Sequence, residues 1–118
     1  MFIDVHGHVR RICGFPGPED PRYCTPEQLL ARHDELGIER GVLLPGVPPE
    51  CSRVPQSNEE VIELAAMYPG RFIPFCNVDP RSMTNSPFAP LGEVLGYYKE
   101  QGCKGLGEAT ANLPFLRS

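Results

Sequence analysis

The sequence predicts an α/β fold in which parallel β-strands alternate with α-helices. Short apolar segments alternate with segments of helical periodicity, in the order βαβαβαβ. Capping residues, prolines and glycines separate these segments, and strands that alternate with helices in this way pair in parallel. With 118 residues and 41% hydrophobic residues, the chain is long and apolar enough for one small domain with a buried core.

The first strand is predicted over residues 2–7, and a loop rich in glycine and proline follows it. The first helix begins with clear signals, because Thr25 suits the N-cap and Pro26 suits the first helical position. Gln28 lies where a capping box requires Glu or Gln. Gly37 then ends the helix as a C-terminal cap.

The second strand–helix pair begins with the apolar segment 42–44, which Pro45-Gly46 ends. Because this segment is apolar throughout, it is typical of a parallel strand that is covered on both faces. A proline-rich loop leads to a second capping box at 57–60, which opens a helix that ends near Met67. The predicted buried stripe of this helix consists of Val61, Ile62, Leu64 and Ala65.

The third strand is predicted over residues 72–78, although Pro74 lacks the N–H group that a central strand uses. A third helix is predicted from Leu91 to Gln101, and Gly102 ends it. The segment 103–107 then predicts a fourth strand. We therefore expect about four parallel strands and three intervening helices.

Composition excludes several classes of partner. The formal net charge of −4 and the absence of a basic run argue against nucleic acid or an anionic membrane surface as partners. No segment has the length of a membrane span, and no secretory signal is apparent. The five cysteines are widely spaced and form no Cys-x-x-Cys pair, which favours free thiols in a reducing compartment. We expect a cytoplasmic protein.

The first strand carries the strongest chemical signal. Side chains alternate across a strand, so Asp4, His6 and His8 are predicted to share one face at the strand end. Two imidazoles there can bind one metal ion, and imidazole with carboxylate ligands suits zinc, iron or manganese. Asp4 is predicted to orient an imidazole rather than to bind the ion directly.

Further polar residues follow the later strands. Asn77 and Asp79 follow the third strand and Glu108 follows the fourth, so all three are expected at the edge that carries the histidines. Glu108 is predicted as a third metal ligand, and Asn77 and Asp79 as supporting or substrate-side residues. The structural alternatives stay open: paired histidines on an edge strand, a loop carboxylate at 108, and an ordinary turn at Asp79-Pro80.

Other polar or aromatic residues have simpler interpretations. His33 lies within the first helix near its packed stripe and is interpreted as structural, as are the cysteines. Tyr97 and Tyr98 are interpreted as helix packing, and Lys104 as structural at the far end of the fourth strand. The sequence contains neither a glycine-rich phosphate loop nor a serine in a nucleophile elbow.

The segment Asp4-Val-His-Gly-His8 resembles the Asp-x-His-x-His signature of the amidohydrolase superfamily. The stretches 72–80 and 102–108 are similar to the third and fourth strands of its amidohydrolase 2 branch. That branch includes metal-dependent hydrolases and decarboxylases related to aminocarboxymuconate semialdehyde decarboxylase. The resemblance implies a (β/α)8 barrel, with His6 and His8 as metal ligands and Glu108 at the position of a carboxylated lysine or glutamate.

The resemblance also implies functional residues that the chain lacks. The family places further histidines after the fifth and sixth strands and a catalytic aspartate after the eighth. A complete barrel needs about 250 residues, so we expect residues 1–118 to form a single incomplete barrel domain, the N-terminal half of such an enzyme. Such a half is expected to bind metal weakly and to be catalytically poor.

The sequence therefore leads to three functional hypotheses. The first is part of a divalent-metal enzyme, with zinc the foremost candidate, that hydrolyses C–N or ester-like bonds of a small molecule or assists its decarboxylation. The second is a non-catalytic partial barrel that self-associates or pairs with another chain, because an open parallel sheet exposes apolar surface. A phosphoesterase of the polymerase-and-histidinol-phosphatase type ranks below both, since its further histidine motifs are absent.

Overall fold

A computed structural model of the chain describes residues 1–11, 24–46, 56–79 and 86–107. These residues form three parallel strands and three helices. The strands and helices alternate along the chain, as predicted. In chain order the elements are β1 (Phe2–Gly7), α1 (Pro26–Leu36), β2 (Ile38–Leu43), α2 (Asn58–Met67), β3 (Phe72–Pro74) and α3 (Leu91–Glu100). Among them, no helix combines the length and the apolar character that a membrane crossing requires.

The strands pair in the order β1-β2-β3, so each strand lies beside the next one along the chain. Both pairings are parallel, which is compatible with part of a barrel. The predicted fourth strand is shorter than expected: the segment 103–107 forms one parallel bridge, in which Leu106 pairs with Cys76, two residues after the end of β3. Its two glycines weaken a regular strand here, and the ring of Phe75 lies 2.6 Å from where a Cβ atom on Gly105 would be.

Pro74 lies inside β3, although proline removes a hydrogen-bond donor from a ladder. The bond from β3 to β2 comes from the next residue, where Phe75 N donates to Leu43 O at 2.9 Å. Pro74 faces the other neighbour and contributes only its carbonyl group, which accepts from Lys104 N at 2.9 Å. The ring therefore occupies a position at which β2 requires no N–H group.

β2 is longer than the apolar segment 42–44 indicates, because it begins at Ile38. Its first half contains the exposed residues Glu39 and Arg40, so apolar content does not reveal it. Pairing with β1, where Ile3 lies opposite Arg40, holds this polar half in the sheet. Tertiary pairing has thus extended the strand beyond what local propensity predicts.

α1 begins and ends as predicted. The Thr25 side chain accepts from Gln28 N at 3.3 Å, and Thr25 N donates to the Gln28 side chain at 3.0 Å, which completes a capping box. Gly37 follows the helix with φ of 71°, a left-handed conformation that favours glycine. Leu36, the last residue of the helix, is 57% exposed although it is apolar.

α2 has only half of its predicted capping box. The Ser57 hydroxyl accepts from Glu60 N at 3.1 Å, as expected for an N-cap. The Glu60 carboxylate, however, accepts a hydrogen bond from Gln56 Nε2 instead of turning back to the Ser57 backbone. Glu60 is therefore used in a local contact with the residue before the N-cap, which the motif does not reveal.

The core lies between the sheet and helices α1 and α2. Its buried residues are Val9, Leu43, Val61, Leu64, Ala65 and Phe72. α3 contributes no buried residue, and its half-buried side chains are Leu91, Val94, Leu95 and Tyr98. β1 is also largely exposed, and the exposed fractions of Phe2 and Val5 are 69% and 73%. The second half of β2 and the first residue of β3 are thus more buried than β1.

Candidate metal centre

Two imidazole rings meet at the carboxyl end of β1. The Nε2 atoms of His6 and His8 lie 3.1 Å apart, and the ring centroids are 4.9 Å apart with an interplanar angle of 77°. Both side chains lie on the exposed surface of the sheet end. The predicted pair of imidazoles therefore shares one small volume.

The tautomer of His8 follows from its second ring nitrogen. His8 Nδ1 lies 3.1 Å from Leu44 O, at the carboxyl end of the neighbouring strand. A carbonyl oxygen can only accept, so Nδ1 carries the proton and donates it to this bond. The neutral ring then has its lone pair on Nε2, the nitrogen that faces His6.

The two nitrogens fit neighbouring positions around one metal ion. Ligand nitrogens about 2.0–2.1 Å from zinc lie about 3.0 Å apart at an angle of roughly 90° and about 3.4 Å apart at the tetrahedral angle. The observed 3.1 Å falls inside this span. The backbone bond from His8 to Leu44 is also the kind of contact that orients metal-binding histidines.

Other predicted ligands do not join this pair in the described residues. Within residues 1–11, 24–46, 56–79 and 86–107, no group of three or more His, Cys, Asp or Glu side chains is arranged to hold a metal ion. Glu108, the predicted third ligand, lies outside these ranges. The described part of the chain thus supplies two donors.

Asp4 has a different partner from the one the sequence suggested. Its Oδ2 atom lies 3.0 Å from His33 Nε2 on α1, and its Oδ1 atom accepts from the backbone N–H of His6 at 3.1 Å. The Asp4 carboxylate therefore orients the imidazole of His33 and the backbone of His6. The Leu44 carbonyl, rather than Asp4, orients the His8 ring.

Gln56 connects the segments that follow β1 and β2. Its side chain donates to Val9 O at 2.7 Å and accepts from Gly46 N at 3.0 Å. Asn77, after β3, adds a bond from its side-chain amide to Gly46 O at 3.1 Å. One network thus joins the carboxyl ends of all three strands, which is where parallel α/β folds place their functional residues.

Asn77 and Asp79 line a cavity of about 550 Å³ between the N-terminus of α2, the end of β3 and α3. At its wall the Asn58 amide holds both the N–H and the C=O of Asn77, each at 2.9 Å. Tyr98 donates to Glu59 at 2.7 Å across the same cavity. Burial, and next this hydrogen bond, raise the pKa of the Tyr98 hydroxyl, so it remains a donor at neutral pH.

Sequence reasoning missed several of these residues. No sequence motif assigns a role to the side chains of Gln56 and Asn58. An amide in a loop or in the first turn of a helix is usually exposed, so their burial was not predicted. His33 is buried, in agreement with its interpretation as structural, but its contact with Asp4, 29 positions away, was not predicted. The available signal for this contact was a histidine among the apolar residues of α1 together with an acidic residue, Asp4, on the strand that precedes the helix.

Comparison with known proteins gives a likeness in fold. No protein-family model and no curated protein matches the sequence. The structure is similar to that of a protein from Acinetobacter baumannii described as a probable 2-pyrone-4,6-dicarboxylic acid hydrolase, solved with citric acid bound. The TM-score is 0.54 and the sequence identity 22%, over 96% of this chain and 42% of that protein. The chain therefore shares the fold of part of a hydrolase and spans less than half of its length.

Proposed function

We propose that this chain provides part of the active site of a metal-dependent, amidohydrolase-type enzyme that acts on a small molecule. The observation that carries the proposal is the pair of Nε2 atoms 3.1 Å apart, with the His8 lone pair directed to Nε2 by the Leu44 carbonyl. The fold likeness to a hydrolase supports it.

The chain's own residues would divide the work as follows. His6 and His8 would hold a divalent ion, with zinc the foremost candidate because it is readily bound by imidazole. Glu108 remains the predicted third ligand. When bound, the ion would act as a Lewis acid that polarises a carbonyl or carboxyl group and eases removal of a proton from water. Asn77 and Asp79, which line the cavity after β3, would contact the substrate.

Two reactions are consistent with this site. For attack by water on a C–N or ester-like centre, an ion held by His6 and His8 would supply stabilisation of developing negative charge. For decarboxylation, it would supply stabilisation of the electron pair left on the substrate. The likeness to a protein described as a hydrolase favours the first.

The direct test is the metal content of the chain, prepared without a polyhistidine tag. Elemental analysis after incubation with Zn²⁺ and desalting should show bound zinc in the wild type. His6→Ala combined with His8→Ala should abolish it, because both imidazole donors are removed. Equal zinc content in the wild type and in the double variant would contradict the proposal.

A matched control separates the site from general surface charge. Glu35→Ala combined with Glu39→Ala removes two exposed carboxylates, Glu35 from the last turn of α1 and Glu39 from the beginning of β2. Because neither residue is near the carboxyl end of the strand β1, zinc content should equal that of the wild type. A loss in this variant would show that zinc binds through surface carboxylates.

Exposed apolar side chains on β1 support a second candidate function, a non-catalytic partial barrel that self-associates. Phe2 and Val5 are 69% and 73% exposed on a strand that, in the described residues, pairs with β2 alone. Unpaired strand edges with apolar side chains promote association.

Light scattering coupled to size exclusion tests this second candidate. Association should be visible in the wild type and weakened by Phe2→Lys combined with Val5→Lys, since charge on the strand opposes pairing. Phe88→Lys is the matched control, because Phe88 is 89% exposed but lies in the segment before α3. A monomeric wild type at high concentration would rule out the association.

A further inference from the structure

The imidazole of His33 on α1 is buried although its residue type is usually half-exposed. His33 is 2% exposed and lies against β2 at Gly41. A Cβ atom at Gly41 would be 2.6 Å from His33 Cε1, closer than real Cβ atoms approach. β2 therefore has a glycine at the one place where the ring requires the space.

The buried ring and the strand meet at the two oxygens of one carboxylate. His33 Nε2 lies 3.0 Å from Asp4 Oδ2, and since a carboxylate only accepts, this nitrogen carries the proton. The other oxygen, Asp4 Oδ1, accepts from His6 N at 3.1 Å. Asp4 thus links a helix side chain to the backbone of His6.

This link lies where the β1–β2 ladder is irregular. Asp4 pairs with Gly41 and Gly7 pairs with Leu43, so β1 advances three residues while β2 advances two. An extra residue of this kind leaves part of the strand without its regular ladder partner. The Asp4 side chain supplies an acceptor for His6 N inside this irregular stretch.

We infer that His33 is a positioning residue for the histidine pair: by holding Asp4 it sets the backbone of His6 and so the place of the His6 ring relative to His8. For its effect on metal binding this inference rests on the proposed function, but its effect on the His6 backbone does not. If His33 only filled the space beside Gly41, an apolar side chain of similar size would serve as well, and the hydrogen bond from His33 Nε2 to Asp4 would not be needed.

The test compares His33→Leu, which fills space without a donor, with His33→Gln, whose side-chain amide can donate to Asp4. In the metal-free protein, hydrogen exchange of the His6 amide, measured by NMR, should become roughly threefold to tenfold faster in His33→Leu as its bond to Asp4 loosens. Zinc affinity, measured by competition with a chromophoric chelator, should fall about 10- to 100-fold, as for other residues that orient metal ligands.

Rescue by the conservative variant distinguishes positioning from packing. His33→Gln should keep His6 exchange and zinc affinity within about threefold of the wild type. Leu64→Ala, a cavity in the core beneath α2, should lower stability without a selective effect on the His6 amide. If His33→Leu proves unfolded, Asp4→Asn replaces it, because it removes one of the two acceptors while retaining the side chain's shape.

The possible outcomes separate the two proposals. If wild-type protein binds no zinc but His6 exchange responds to the variants as expected, the positioning role stands and the metal function fails. If zinc binds through His6 and His8 while His33→Leu, or Asp4→Asn in its place, leaves both exchange and affinity unchanged, the positioning role is overturned. Equal changes in His33→Leu and His33→Gln would also overturn it, since they indicate packing alone.

Discussion

Hydrogen-bond partners decide the chemical state of individual side chains in this protein. His8 presents its lone pair at Nε2 because its Nδ1–H donates a hydrogen bond to the carbonyl oxygen of Leu44, just after the neighbouring strand. Asp4, which by sequence alone could orient either paired ring, instead contacts His33 and the His6 backbone. Single residue types therefore predict the chemistry available, and their partners determine which form is present.

Two cysteines of the described residues, Cys76 and Cys103, are present as thiols. Cys76 and Cys103 are buried, with 3% and 5% exposure. Burial raises the pKa of the Cys76 thiol, and burial together with the nearby Cys76 raises the pKa of Cys103 to about 11. Because the thiolate is the nucleophile, both should react slowly in the native protein.

The reactivity of Cys103 gives a residue-scale prediction. At pH 8 a rise in pKa from 9.0 to about 11 lowers the thiolate fraction roughly 100-fold. Alkylation of Cys103 by iodoacetamide, followed by peptide mass spectrometry, should be slower by at least about that factor in native protein than in urea. Similar rates in the two states would contradict the burial of this thiol.

The raised pKa of Cys103 also predicts how the free energy of unfolding changes with pH. The folded-state pKa of Cys103 lies above its ordinary value, so the unfolded chain loses the thiol proton first as pH rises. The stabilising contribution is complete below about pH 9 and is lost between about pH 9 and pH 11. Urea unfolding at these pH values should show a falling free energy of unfolding, and Cys103→Ala should make the fall smaller.

At the scale of elements, the two capping motifs look alike in sequence but differ in structure. In α1 the Thr25 and Gln28 side chains satisfy each other's backbone N–H groups. In α2 only the Ser57 half forms, because Glu60 accepts a hydrogen bond from Gln56. A capping box is thus complete only where no other side chain, here the neighbouring Gln56, competes for the side chain at its last position.

Double-mutant cycles should reveal this difference. Thr25→Ala and Ser57→Ala should each lower the free energy of unfolding by about 1 kcal/mol, through loss of an N-cap. Thr25→Ala combined with Gln28→Ala should be non-additive by about 0.5 kcal/mol or more, since the two side chains form one reciprocal motif. Ser57→Ala combined with Glu60→Ala should be nearly additive. Equal coupling energies from urea unfolding would contradict the observed contacts.

At the scale of the whole molecule, the carboxyl ends of the three strands are held by side-chain amides. Gln56 joins the segments after β1 and β2, and Asn77 joins the segments after β2 and β3. The edge that carries His6 and His8 is therefore tied together by polar bonds in addition to the apolar core beneath it.

Gln56 is the residue at which this arrangement is most easily tested. Gln56→Leu keeps the size of the side chain but leaves buried polar groups at Val9 and Gly46 without their partner, at about 1–3 kcal/mol each. We expect a loss of about 2 kcal/mol or more in urea unfolding. Gln101→Leu, at an exposed position after α3, should change stability by less than about 0.5 kcal/mol. Comparable effects in both variants would contradict the role of Gln56.

Much of the fold could be predicted because its signals are local. The Thr25 cap, the Gly37 stop and the apolar periodicity of α2 act over a few neighbouring residues, and each gave the correct element. The spacing of His6 and His8 likewise brings two rings to one strand end, since it depends on strand geometry alone.

The sequence by itself thus determined the alternation of strands and helices and the pair of imidazoles. Tertiary structure decided which partners those groups have: Leu44 for His8, His33 for Asp4, and Gln56 for the two segments after β1 and β2. These contacts join residues up to 47 positions apart. They depend on how helices pack on the sheet and on where the β1–β2 ladder gains a residue, which no local pattern encodes.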